Sequence, residues 1–205
     1  ESVLHAILHM NHHMPAMQSN FSARSWNRNL QASSRLISTQ EILIVGLGHI
    51  GLACAELLRS TGASVTGIRR SVSGANSDIP VYPVSELDLR VAQADHIVLL
   101  LPGGPETERL FNERRLRLCK PGAYIYNFGR GNALHAEDLI NAWDHLGGAF
   151  LDVTEVEPLP ETSKLWELGN IMITPHSSCV FEDYRRLFVK ETLVTLGNAD
   201  KTHAN

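Results

Sequence analysis

The chain has 205 residues, 43% of them apolar and 20% charged, with a formal net charge of -4. That length supports one sizeable domain with a full core, and the ordinary composition argues against disordered, collagen-like and membrane-embedded classes. The mild negative charge gives no sign of a general affinity for nucleic acid, and the three separated cysteines (Cys54, Cys119, Cys179) suggest a reduced, cytoplasmic setting without a disulfide framework.

The first residue is Glu1, and no secretory leader pattern follows it. Val3, Leu4, Ile7 and Leu8 repeat at helical spacing, so a helix is expected over residues 1 to about 14, stopped near Pro15. A start in mid-helix suggests a fragment of a longer protein. His5, His9, His12 and His13 fall near one face of that helix. Such spacing can hold a transition metal. A polar face packed against a partner or another domain is the stronger reading, and no metal is expected. Residues 15–40 are polar and rich in Ser and Asn; they read as a wrapping connector anchored by Trp26 and Leu30.

From residue 41 the pattern is regular. Ile42 to Val45 reads as a buried strand ending in glycine, Ile50 to Arg59 as a helix closed by Gly62, and Ser64 to Ile68 as a second strand. Residues 71–80 read as loop, and Ser85 to Gln93 as a helix with Ser85 as its N-cap. His96 to Leu101 is a strand cut off by Pro102-Gly103-Gly104-Pro105. A helix is expected over Glu106 to Leu118, then a strand over Ala123 to Asn127. A helix over Ala133 to His145 precedes strands over Ala149 to Asp152 and Ile171 to Thr174, and Phe181 to Leu196 is the last helix. Strands that are continuous apolar runs and alternate with helices predict an α/β fold, a doubly wound parallel sheet of Rossmann type.

Gly46-Leu47-Gly48-His49-Ile50-Gly51 lies between a predicted strand and a predicted helix. In that context Gly46 allows a tight turn, Gly48 a close approach to a pyrophosphate, and Gly51 close helix–strand packing, with the helix N-terminus offering its N–H groups to phosphate. The second strand ends in Arg69-Arg70-Ser71 where a site for NAD usually carries an acid. Two guanidiniums and a hydroxyl suit a 2′-phosphate. NADP(H) is therefore the preferred cofactor, with NAD(H) possible.

Three further stretches follow predicted strands, where ligands bind in such sheets. They are Asn127-Phe128-Gly129-Arg130-Gly131, Asp152-Val153-Thr154-Glu155-Val156-Glu157-Pro158 and Ile173-Thr174-Pro175-His176. Together with the glycine loop, Leu101-Pro102, Glu106-Thr107 and Lys120-Pro121-Gly122-Ala123, they make residues 41 to about 180 resemble the nucleotide-binding domain of the D-isomer-specific 2-hydroxyacid dehydrogenases. The paired arginines make the pattern similar to the NADP-using glyoxylate/hydroxypyruvate reductases.

The resemblance implies an oxidoreductase acting on a small 2-oxo or 2-hydroxy acid. It implies that Arg130 binds the substrate carboxylate and carbonyl oxygen, that His176 is the acid protonating that oxygen, and that Glu157 holds the imidazole. An imidazole suits the task because it exchanges its proton near neutral pH. Asp152 is implied to contact the nicotinamide carboxamide. Pro102, Thr107, Phe128, Gly129, Arg130 and His176 are implied to border the cofactor, with His49 and Ile50 under its pyrophosphate. Residues 1–40 resemble the helix and linker that join two domains in full-length relatives, residues 41–180 the dinucleotide domain, and residues 181–205 a tail leading back to a substrate domain that is largely absent. Such a fragment is expected to bind cofactor with little turnover and to form a homodimer through its nucleotide domain. A dinucleotide-sensing corepressor-like protein and a phosphoglycerate-type dehydrogenase are the alternatives.

Overall fold

The computed structural model describes residues 1–71 and 78–202, so the loop expected over residues 71–80 falls largely outside the described residues. In chain order the elements are α1 (Ser2–Asn11), α2 (Met14–Ser22), β1 (Glu41–Val45), α3 (His49–Ser60), β2 (Ser64–Arg69), β3 (Val81–Pro83) and α4 (Leu87–Val91). They continue with β4 (His96–Leu99), α5 (Glu113–Leu118), β5 (Tyr124–Asn127), α6 (Ala136–Asn141), β6 (Gly148–Leu151), β7 (Ile171–Ile173) and α7 (Tyr184–Thr202). Residues 1–175 form one compact unit, and a second begins at His176.

The strands of the first unit form a seven-stranded sheet in the order β3-β2-β1-β4-β5-β6-β7, and every pairing is parallel. Ile44 of β1 lies opposite Gly67 of β2 and Val98 of β4. The chain thus reverses its direction of winding at β1, and the crevice beside that strand is where such sheets bind ligands. Side chains alternate between two apolar layers. Leu43, Val45, Ile97, Leu99 and Ile125 pack with Leu87, Leu116 and Leu139 of α4, α5 and α6. Ile42, Ile44, Val98, Tyr126 and Phe150 pack with Val3, Ile7 and Met10 of α1 and Leu58 of α3. Strands buried on both faces explain the unbroken apolar runs.

Several local expectations change. Pro15 does not stop α1, which already ends at Asn11; it lies in the first turn of α2, where a proline lacks only an N–H that would have no helical partner. His13, with φ 55, makes the bend between the two helices. Trp26 is 89% exposed and anchors nothing within the unit. β3 falls between the loop expected over residues 71–80 and the helix expected from Ser85, where no element is expected; its Pro83 is tolerated because the strand lies at the sheet edge. Ser85 sits in a 3₁₀ turn, and α4 begins after Glu86 with no side-chain cap. The helix expected from Glu106 starts only at Glu113, where Asn112 accepts a hydrogen bond from the Arg115 N–H at 3.0 Å. The residues before it are held as turns instead. The Thr107 hydroxyl reaches the Pro102 and Gly104 carbonyls, and the Arg109 N–H donates to the Asn132 carbonyl at 2.8 Å.

The histidine-bearing face of α1 packs on the unit's own sheet. His5 and His9 meet the Phe150 ring edge-on at 6.3 and 6.1 Å, and His13 Nε2 pairs with the Ser33 hydroxyl at 3.0 Å. Burial, and then the neighbouring His5, hold His9 below the usual imidazole range. Among the described residues no group of three or more His, Cys, Asp and Glu is placed to hold a metal ion, and no helix is long and apolar enough to cross a membrane.

Candidate cofactor groove and catalytic loops

β1 runs straight into the glycine loop. Gly46 has φ +108, and a Cβ there would stand 2.5 Å from the Leu100 carbonyl oxygen. A Cβ at Gly51 would stand 2.3 Å from the Gly46 carbonyl oxygen, so α3 approaches the end of β1 this closely only through glycine. Gly48 is the N-cap of α3, carries no side chain over the first turn, and has nothing within 4 Å of where its Cβ would be.

Beside this loop lies a groove of about 480 Å³, with Val45 to Gly48, Ile68 to Arg70 and Leu100 to Pro102 on its sides and Val84, Glu106, Thr107 and Leu110 closing it. Its size suits a small-molecule site. An apolar slot beside a helix N-terminus and a bare backbone at Gly48 together match the chemistry of a dinucleotide with its pyrophosphate. Of the residues singled out in the sequence, Gly46, Gly48, Arg69, Arg70, Pro102 and Thr107 border this groove. Gly51 lies behind it, and Ile50, 75% exposed, points away from the core. His49 and Ser71 are exposed beside it. Sequence reasoning gave no role to Glu106, Val84 or Leu110; the position of Glu106 next to Thr107 was the available signal.

The chemistry-bearing loops stand on the next strands. Asn127, buried at the end of β5, donates through its amide to the Arg130 carbonyl at 3.2 Å and accepts from the Gly129 N–H at 3.2 Å, which shapes the turn carrying Arg130. A Cβ at Gly131 would stand 1.9 Å from the Thr154 carbonyl oxygen, so this turn lies directly against the loop after β6. Arg130 is exposed and its Nη1 donates to the Gly129 carbonyl at 2.7 Å. A Cβ at Gly103 would stand 3.5 Å from Arg130 Cγ, which puts the arginine stem beside the turn after β4. Phe128 turns the other way and stacks on Phe150, ring centres 5.5 Å apart.

Asp152 is buried at the end of β6 and accepts a hydrogen bond from the Thr174 hydroxyl at 2.6 Å. In the following loop Glu157 accepts from the Thr154 N–H at 3.1 Å, and Glu155 accepts from the Ala136 N–H at 2.8 Å, capping α6 from outside. The adjoining turn is tied down by Arg109, which grips Asp138 at 2.8 and 3.1 Å. Burial would raise the Asp138 carboxyl, but the Arg109 bonds and the Glu113 N–H outweigh it and hold it below the usual carboxylate range. The first unit therefore brings together the Arg130 turn and the Glu157 loop. His176, with φ 51, opens the second unit.

The family model for the D-isomer specific 2-hydroxyacid dehydrogenase NAD binding domain matches residues 4–178. A D-3-phosphoglycerate dehydrogenase of Synechocystis sp. is 32% identical over 185 residues, covering 89% of this chain and 33% of its own length. A glyoxylate reductase of Thermofilum pendens is 33% identical over 169 residues, covering 80% of this chain and 49% of its own. Among solved structures, a probable 2-hydroxyacid dehydrogenase from Rhizobium etli in complex with NADP superposes with a TM-score of 0.83 at 28% identity, covering 96% of this chain and 64% of that one. The NADPH-dependent glyoxylate/hydroxypyruvate reductase of Sinorhizobium meliloti, in complex with NADP and sulfate, superposes with a TM-score of 0.80 at 28% identity, covering 94% and 62%. The chain spans between 33% and 58% of the length of the first curated relatives it matches.

Proposed function

The chain belongs to the D-isomer specific 2-hydroxyacid dehydrogenase family, as its NAD-binding domain, and from that premise we propose that the parent protein reduces a small 2-oxo acid of the glyoxylate or hydroxypyruvate kind. The observation that carries this reading is the groove beside Gly46 and Gly48 with Arg130 on a neighbouring turn. The nicotinamide dinucleotide, when bound, supplies the hydride. The α3 N-terminus and the glycine loop would hold its pyrophosphate. Arg69, Arg70 and Ser71 would hold a 2′-phosphate, so NADP(H) is preferred and NAD(H) possible. Asp152 would hold the carboxamide.

Arg130 would bind the substrate carboxylate and polarise the carbonyl oxygen, a task suited to a planar guanidinium. His176 would give its proton to that oxygen, and Glu157 would orient the imidazole. These 205 residues present the cofactor side of such a site, so alone they are expected to bind the dinucleotide with little turnover. A homodimer through this domain is supported by exposed Phe21, Trp26 and Leu36 on the segment between α1 and β1. The three free cysteines support a cytoplasmic setting.

The phosphoglycerate-type reading is favoured by the Synechocystis relative. Steady-state assays of the full-length protein with glyoxylate, hydroxypyruvate and phosphohydroxypyruvate, each with NADPH and NADH, separate the two. We expect NADPH and the unphosphorylated acids to give the higher kcat/KM. Arg70→Ala should weaken NADPH binding about tenfold or more, as loss of a charge-assisted contact implies. A preference for NADH that Arg70→Ala leaves unchanged sinks the NADP reading.

A further inference from the structure

Arg70 follows β2 and Glu106 lies on the turn after β4, 36 residues away, yet the two side chains meet: Arg70 Nη1 donates to Glu106 Oε2. Both residues border the groove beside the glycine loop. The pair is open to solvent, with the side chains 82% and 74% exposed. The backbone that presents Glu106 is fastened. The neighbouring Thr107 hydroxyl bonds the Pro102 and Gly104 carbonyls at 2.8 and 3.0 Å, and the Asn132 amide donates to the Gly104 carbonyl at 3.1 Å.

We infer that Glu106 limits the preference of this domain for NADP(H), by pairing with Arg70 and opposing a phosphate on the adenosine 2′ position while accepting a free ribose hydroxyl. The inference rests on the proposed reading that Arg70 faces the 2′ position. A 2′-phosphate drawn to Arg70 arrives beside a carboxylate already paired with that guanidinium. Either the carboxylate swings away and the ion pair is lost, or two anions share one cation. A dinucleotide with free hydroxyls meets no such conflict, because a carboxylate accepts hydrogen bonds from them. In NAD sites that acceptor usually stands at the end of the second strand. Here the second strand ends in arginine, and the acid arrives from the turn after β4.

The test is the equilibrium binding of NADPH and of NADH, read by nucleotide fluorescence, to the full-length protein and to its Glu106→Gln, Arg70→Ala and doubly substituted forms. Thermal midpoints check that each variant is folded; both positions are on the surface. Glu106→Gln should tighten NADPH about twofold to fivefold, as expected for one exposed charge contact, and leave NADH unchanged or weaker. The gain should shrink at high salt and be smaller in the Arg70→Ala background, where only the direct repulsion remains. A ratio of NADPH to NADH affinity that Glu106→Gln leaves within about twofold, or lowers, overturns the inference. A gain that is undiminished without Arg70 overturns it as well. The underlying reading is judged separately by Arg70→Ala alone. If that variant loses NADPH affinity while Glu106→Gln does nothing, the NADP reading stands and the role of Glu106 falls. If neither variant changes the ratio, both fall.

Discussion

At the carboxyl end of the sheet Arg70, Glu106, Arg130 and Glu157 all stand exposed on loops, whereas at the amino end Asp95 and His96 are buried at the start of β4. Asp95 Oδ1 accepts from Arg35 at 2.9 Å and from Lys120 at 2.6 Å, and its Oδ2 accepts from the Glu41 N–H at 3.0 Å. One carboxylate thereby gathers the starts of β1 and β4 with the segments leading into β1 and β5. Beside it His96 Nδ1 pairs with the Tyr126 hydroxyl at 2.8 Å, and the imidazole stacks on Tyr124. The comparison separates two uses of polar groups in one sheet. Charges buried among protein partners hold strands together; charges on exposed turns, even where they pair with one another, are the ones a ligand can reach.

The sharpest way to break this comparison is to substitute at the carboxyl end and look for lost chemistry without lost stability. In the full-length protein, if Arg130 serves the proposed reaction, Arg130→Ala should lower kcat/KM by about a hundredfold to a thousandfold, the usual effect of removing one electrostatic donor from a reacting carbonyl. Its denaturant midpoint should stay that of the unsubstituted protein, because the side chain is exposed. Unchanged turnover removes Arg130 from the site.

The next effect belongs to the amino end and is read against pH. Burial, far outweighing the opposing Asp95 charge, pushes His96 down to about 4 from its ordinary 6.5. The folded state resists a proton that the unfolded chain accepts. Stability from this residue is therefore fully present above pH 6.5 and is lost as the pH falls towards about 4. The loss is at most about 3 kcal/mol, with His9 adding to it in the same direction. Urea midpoints measured across that window should fall on acidification, and His96→Leu should flatten the curve. An identical slope in the variant sinks the assignment.

The smallest of the three is Asp95→Ala. Burial raises this carboxyl, but the Glu41 N–H, Lys120 and Arg35 outweigh it and hold it below the usual range. Removing it should cost about 1–3 kcal/mol, the loss of hydrogen bonds made to a buried charged group, read as a lower urea midpoint. NADPH affinity should be unchanged, since the residue lies at the opposite end of the sheet from the groove; a loss there would show that the two ends are coupled.

Much of the fold was legible because its signals are local. An apolar run bounded by Gly46 marks β1, and the αL residue Gly62 closes α3 as expected, its φ being 86. The failures came where distant contacts overrode local pattern. Residues 106–112 carry no residue that forbids a helix, yet Thr107 and Arg109 are held by Pro102, Gly104 and Asn132, so the turn persists. The site divides the same way. Gly46, Gly48, Arg69, Arg70, Pro102 and Thr107 were readable from a motif and its strand ends, and they do line one groove. Glu106 had the same visibility but no role, because its meaning depends on a partner 36 residues away.

The sequence by itself determined the alternation of strands and helices, the family, and the kinds of side chain that follow each strand, since these depend on backbone requirements and on residues close together in the chain. Only the tertiary structure decided which of those side chains meet. Sheet order sets β1 between β2 and β4 and brings their following turns to one groove, so that Arg70 finds Glu106. It also brings the Gly131 turn hard against Thr154, and the amino ends of β1 and β4 around Asp95. Those meetings follow from strand pairing over long sequence separations, which no local pattern encodes.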